Sequence, residues 1–106
     1  MDDKLLNTPI RDWLPAVQGR LLGQTRYFGV PVVKCPLDWW IYQELVCERR
    51  PDAIIEIGNF RGGMLLALAH WCDALGRGVV FGVDIDHSPI APAVRRHNRI
   101  RLVTGD

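Results

Sequence analysis

Over the first 35 residues apolar positions are sparse and heavily punctuated. Trp13, Leu14, Val17 and Leu21 make a weak helical stripe, interrupted by Pro9, Pro15, Gly19, Gly23 and Gly29. Proline fits a helix only near its start, so a short helix followed by an arm is expected here. From Pro36 the pattern tightens. Leu37, Ile41 and Leu45 recur at one helical face with Trp40 beside them, while Asp38, Glu44, Glu48 and Arg49 fall largely elsewhere. That spacing predicts an amphipathic helix ended by Arg50-Pro51-Asp52. Ala53-Ile54-Ile55-Glu56-Ile57 then reads as a short strand buried on both faces. A glycine corner follows, Gly58-Asn59-Phe60-Arg61-Gly62-Gly63, and Leu65, Leu68, Ala69, Cys72 and Leu75 define a second helix with Gly76 as its C-terminal cap. Val79 to Val83 predicts another buried strand, running into Asp84-Ile85-Asp86, and Ile100 to Thr104 a third before Gly105-Asp106.

Strand, tight glycine turn, helix and strand compose a βαβ unit, and such units connect into a parallel sheet. The fold class expected is α/β: a Rossmann-like doubly wound parallel sheet, truncated after the third strand, with an N-terminal helical arm. Residues 1–35 are expected to form the arm and residues 36–106 the N-terminal half of the domain, whose remaining strands would lie beyond Asp106.

Composition changes this picture little but excludes several classes. With 13 Lys+Arg against 12 Asp+Glu the formal net charge is +1, and 48% hydrophobic with 24% charged residues is the balance of a folded domain. No net field gathers nucleic acid or an anionic membrane, so neither is expected as a partner. The Arg95 to Arg101 run lacks the interleaved aromatics of a nucleic-acid surface and is expected to be a solvated connection. The apolar stretch from Gly62 to Cys72 is interrupted by His70 and is shorter than the roughly 20 residues a spanning helix needs. The Met-Asp-Asp start has no basic segment leading into an apolar one, so a cytoplasmic location is expected. There Cys35, Cys47 and Cys72 would be thiols, read as buried small apolar side chains.

Candidate chemistry collects at one end of the predicted sheet. In an open parallel sheet the ligand crevice lies beyond the carboxyl ends of the strands, where the glycine corner, Asp84 with Asp86, and Asp106 converge. An acid ending the second strand stands where nucleotide-binding folds hold ribose hydroxyls. Gly58 and the glycines at 62 and 63 echo a phosphate loop, but Met64-Leu65 replace its lysine and hydroxyl, which disfavours ATP. A dinucleotide turn needs glycine where Phe60 stands, which disfavours NAD. Glu56, just before the corner, would repel pyrophosphate yet suits a cation bearing an amino group and a sulfonium. S-adenosylmethionine has those signs.

Gly29-Val30-Pro31-Val32-Val33-Lys34-Cys35-Pro36-Leu37-Asp38, Trp40, Tyr42-Gln43-Glu44, Arg50-Pro51-Asp52, Ile55-Glu56-Ile57-Gly58 and Phe60-Arg61-Gly62-Gly63 together resemble the cephalosporin hydroxylase and rhamnosyl O-methyltransferase family. Gly82-Val83-Asp84-Ile85-Asp86 and Gly105-Asp106 continue the resemblance, which covers roughly residues 27–106. It implies a class I methyltransferase fold with S-adenosylmethionine as methyl donor. Carried over by position, it implies that Glu56, Gly58, Asn59, Gly62 and Gly63 lie against the methionine moiety, that Asp84, with Asp86 beside it, meets the ribose, and that Asp106 approaches the adenine. Met64 departs from the serine usual in relatives, and Asn59 from threonine or a small apolar residue. In the full-length family magnesium is bound by carboxylates on later strands, so no metal ligand is expected within these residues.

The readings kept open are three. The chain is the S-adenosylmethionine-binding portion of an O-methyltransferase acting on a sugar or small-molecule hydroxyl, weak or inactive alone; or a truncated, non-enzymatic association module; or a fragment of a nicotinamide-dependent oxidoreductase. A homo-oligomer is expected, with Trp39, Trp40 and Trp71 as core or subunit-contact residues. His70, His87 and His97 lack ligand spacing and are not expected to bind metal or act as bases. Asp86 could instead cap the segment that begins at His87-Ser88-Pro89.

Overall fold

A computed structural model describes residues 3–106. Helix α1 (Asp3–Leu6) and helix α2 (Ile10–Gln24) lead into a small antiparallel hairpin, β1 (Arg26–Tyr27) with β2 (Val30–Pro31). Helix α3 (Pro36–Arg49), strand β3 (Ala53–Ile57), helix α4 (Gly63–Leu75), strand β4 (Val79–Asp84), the single turn α5 (Pro92–Arg95) and strand β5 (Ile100–Thr104) follow. The three strands form a parallel sheet in the order β3-β4-β5, with Ile55 opposite Phe81 and Phe81 opposite Arg101. The α/β architecture, the parallel strands and the N-terminal helix are those the sequence predicts.

The core lies between α4 and one face of the sheet. Every residue from Gly63 to Ala69 is buried, and Leu65, Val80, Val94 and Cys72 are sealed completely. Register puts Ile54, Val80 and Ile100 side by side on this face, with Glu56, Gly82 and Leu102 one step further along. Gly76 caps α4 in the left-handed region at φ 70°, donating to the Asp73 and Cys72 carbonyls, as the cap position requires. The hairpin packs on the start of α4: Val30 and Val32 are buried, and a Cβ on Gly63 would sit 2.1 Å from Val32 Cγ2 and 2.7 Å from the Pro31 carbonyl. Glycine at 63 is therefore what lets two segments touch.

Four expectations are corrected. Strand β3 is not buried on both faces: Ile55 is 65% and Ile57 82% exposed, because among the described residues no layer covers the second face and no strand pairs with its outer edge. Helix α3 forms where predicted, yet its stripe of Leu37, Ile41 and Leu45 points outward with Trp40, and none of its residues is buried. What turns inward instead is Trp39, packed edge to face on Trp71 at 6.0 Å, with Val46 beside the core. Pro15 lies inside α2 rather than near its start, since Pro9 already occupies the N-cap, and the ring removes the bond to the Arg11 carbonyl. Of the cysteines only Cys72 is buried; Cys35 is partly covered and Cys47 exposed, because α3 shows that side to solvent. No helix among the described residues is long and apolar enough to cross a membrane.

Helix α2 contributes no buried residue and extends the outline to 46 × 32 × 24 Å. The radius of gyration, 15.8 Å, accordingly exceeds the roughly 13 Å of a compact chain of this length.

Candidate functional site

The ends of β3, β4 and β5 are tied together by the turn that follows β3. Gly58 enters the left-handed region at φ 82°, where its amide donates to the Val83 carbonyl at 2.8 Å; a Cβ added there would meet nothing within 4 Å. Phe60 also takes positive φ, 51°, a conformation costing a side-chain-bearing residue about 1 kcal/mol or more. Gly62 closes the turn at φ 89° as the N-cap of α4, its amide donating to the Asn59 carbonyl at 2.9 Å, and its missing side chain leaves room for Val94 and Ile90. The turn thus spends its glycines differently: Gly58 keeps open space, whereas Gly62 and Gly63 permit close packing.

Asp84, the last residue of β4, holds this turn from the side. The Asn59 amide donates to its Oδ2 at 2.7 Å and the Ile85 amide to its Oδ1 at 2.7 Å. These backbone donors, Asn59 first, hold the Asp84 carboxyl below its ordinary range and keep it ionised. The Asp86 amide lies 3.4 Å from Oδ1, and the Asp86 and Phe60 amides add to the lowering. Asp86 is engaged locally: the Ser88 amide and hydroxyl each donate to it at 2.8 Å, the capping role open to it from the sequence, and they too lower its pKa. Asp106 is exposed two residues past β5.

Beside the turn is a small cleft walled by Val32, Val33 and Lys34 from the segment after the hairpin, by Glu56, Gly58, Asn59 and Phe60, and by Met64 at the start of α4. It encloses about 70 Å³, well short of the roughly 300 Å³ of a pocket that takes in a whole small ligand. It can grip one end of a ligand. Burial pushes the Glu56 carboxyl up, opposed by a hydrogen bond from Asn59 and by the charge of Lys34, while the Asp84 charge adds to the rise. Asn59 is itself buried; its Nδ2 donates to both the carbonyl and Oε1 of Glu56 at 3.0 Å, and its Oδ1 lies 2.9 Å from His87 Nε2. His87 Nδ1 in turn lies 2.7 Å from Thr104 Oγ1.

Of the residues singled out from sequence, Glu56, Gly58, Asn59 and Gly63 border the cleft, and Asp84 joins them through the Asn59 amide. Gly62, Asp86 and Asp106 do not line it. Sequence reasoning missed the wall supplied by Lys34 and the contributions of His87 and Thr104, for which no periodicity or spacing exists to serve as a signal. Among the described residues no three His, Cys, Asp or Glu side chains gather so as to hold a metal ion.

Residues 20–106 match the family described as Rhamnosyl O-methyltransferase/CmcI. The rhamnosyl O-methyltransferase of Mycobacterium leprae (strain TN) is 36% identical over 73 residues, covering 68% of this chain and 32% of that protein. Its counterpart in Mycobacterium bovis (strain BCG / Pasteur 1173P2) is 32% identical over 81 residues, covering 76% and 33%. Solved structures of CmcI with SAH and with Mg-SAM each superpose with TM-score 0.74 at 27% identity over 79% of this chain, spanning 44% and 37% of those chains. The chain spans about a third of the length of the curated relatives it matches.

Proposed function

The chain belongs to the rhamnosyl O-methyltransferase/CmcI family, and from that premise we propose that it is the S-adenosylmethionine-binding portion of an O-methyltransferase acting on a sugar or small-molecule hydroxyl. The observation that carries this reading is the pairing of a half-buried, ionisable Glu56 with an open glycine turn that Asp84 braces.

When bound, S-adenosylmethionine supplies a methyl group activated by its sulfonium. What the chain's own residues do follows from their placement. Glu56 presents a partly desolvated carboxylate to the cleft, where an α-ammonium would offset the cost of its burial. Gly58 leaves the backbone accessible at the same point. Asp84, ionised and at the end of β4 beside the turn, suits the hydroxyls of a ribose lying across the cleft mouth. Lys34, on the opposite wall, suits the ligand's own carboxylate. A phosphate would meet the Glu56 carboxylate in the cleft, with Asp84 beside the turn, and Phe60 occupies the place where a dinucleotide fold brings its pyrophosphate to bare backbone.

The proposed test is calorimetric titration of S-adenosylmethionine into the chain and into Glu56→Gln between about pH 4 and pH 7. Because the folded Glu56 pKa is raised and the ionised form is the one that pairs with an ammonium, affinity should be full above that pKa and fall as the pH drops through it. Glu56→Gln should bind about tenfold more weakly at neutral pH and lose this dependence. A second reading, a non-enzymatic association module, is favoured by the bare sheet face of Ile55 and Ile57 and by the outward stripe of α3. Silence of the folded chain at about millimolar ligand overturns the first reading and leaves the second.

A further inference from the structure

Thr104, His87 and Asn59 follow or end three different strands, yet one unbroken row of hydrogen bonds joins them to Glu56. The direction of each bond is determined at one end. Both partners of Asn59 Nδ2, the Glu56 carbonyl and the Glu56 carboxylate, can only accept, so the nitrogen must face them and Oδ1 must face His87. His87 therefore donates from Nε2, and in the neutral ring Nδ1 accepts the Thr104 hydroxyl. His87 is 6% exposed, and its carbonyl accepts the Ile90 amide at 3.2 Å and the Arg95 guanidinium. The ring is thus fixed at both nitrogens and at its backbone.

We infer that His87 is a positioning residue, which through the Asn59 amide aims the Glu56 carboxylate into the cleft. This rests on the cofactor site proposed above, where Glu56 is the partner of the ligand's ammonium. The two Glu56 acceptors already favour this orientation of Asn59, and the bond from His87 Nε2 adds the hold on the far end of the amide. A free amide can rotate to place Oδ1 toward Glu56, two acceptors would then face each other, and the carboxylate would turn away or take up a proton. The bond from His87 removes that alternative. Gly82 makes the arrangement possible, since a Cβ there would come within 2.9 Å of Asn59 Oδ1 and 2.7 Å of Leu65 Cδ1.

The test compares the chain with His87→Ala and His87→Gln, reading two quantities. The first is the Glu56 carboxyl titration followed by carbon NMR, which needs no ligand. The charged groups acting on Glu56, Lys34 and Asp84, are the same in all three proteins, so a change reports on Asn59. The midpoint should rise in His87→Ala and return in His87→Gln, whose amide nitrogen can replace Nε2. The second is calorimetric affinity for S-adenosylmethionine and for 5′-methylthioadenosine, which lacks the amino-acid end. His87→Ala should weaken the former about tenfold, leave the latter unchanged, and be rescued by glutamine. An unchanged Glu56 midpoint in folded His87→Ala, or an equal loss for both ligands, overturns the inference. Silence of the unaltered chain toward both ligands instead sinks the cofactor reading, whatever the titration shows, and with it the functional role of His87. Should His87→Ala unfold, Thr104→Val removes only the far hydroxyl and carries the same two readouts.

Discussion

Helices α3 and α4 are neighbours of nearly equal length, each rich in apolar residues, and they end up in opposite circumstances. In α4 eight residues are buried against hairpin and sheet; in α3 none is, and Leu37 and Trp40 stand 74% and 71% exposed. Composition accounts for part of the difference, since α3 carries Asp38, Glu44, Glu48 and Arg49 where α4 carries only Asp73, although both end in left-handed C-caps at Arg50 and Gly76. The rest comes from what each faces. Helix α4 is clamped between the sheet and Val30 with Val32, whereas the outer side of α3 meets no partner among the described residues. A periodic stripe therefore states that a helix will form and which side wants cover, but not that cover is there.

The sharpest way to break this contrast is to truncate one leucine on each helix. Leu65→Ala should cost about 3 kcal/mol or more, because Leu65 is sealed and its truncation leaves a cavity that the neighbours fill only in part. Leu37→Ala should stay within about 0.5 kcal/mol. Both are read from urea unfolding. A large loss for Leu37→Ala would mean that the stripe is covered in solution, and the contrast would dissolve. The next effect is Gly63→Ala, which drives a methyl into Val32 and the Pro31 carbonyl and should cost about 2 kcal/mol while loosening the hairpin from α4. Thermal unfolding gives the cost, and amide exchange at Val32 shows whether the hairpin lifts.

The smallest effect concerns the turn rather than the helices. With its folded pKa depressed, Asp84 contributes stability that is present above its unfolded value and is lost as the pH falls through the folded one. Asp84→Asn should thus be less stable than the unaltered chain at neutral pH, with the gap closing on acidification below the ordinary carboxylate range. A gap that persists in acid would show that the loss is one of shape, not of charge-assisted acceptors.

Much of the fold was legible because its signals are local. The Leu65, Leu68, Ala69, Cys72 and Leu75 spacing with Gly76 behind it locates α4, and the β-branched runs locate β3 to β5 within a residue. What was not legible depends on contacts far apart in the chain. The two-residue strands of the hairpin carry no period, the outward turn of α3 depends on which elements pack against it among the described residues, and Pro15 lies in a helix with no buried residue. The site divides the same way. Glu56, Gly58 and Asp84 stand at strand ends that any parallel sheet would bring together. The bridge from His87 to Asn59 and Thr104 links residues of unrelated spacing, and a histidine beside two aspartates gives no hint that it faces inward.

The packing of the hairpin on Gly63 has an entropic consequence. One wall of the cleft comes from residues 32–34 and the other from residues 56–64, so the recess exists only once the chain has looped back across the whole of α3. That closure costs loop entropy, which the burial of Val30 and Val32 on α4 must offset. Loosening Val30 or Val32 should therefore open the recess while β4 keeps its neighbours, a separation that amide exchange in the two segments would reveal.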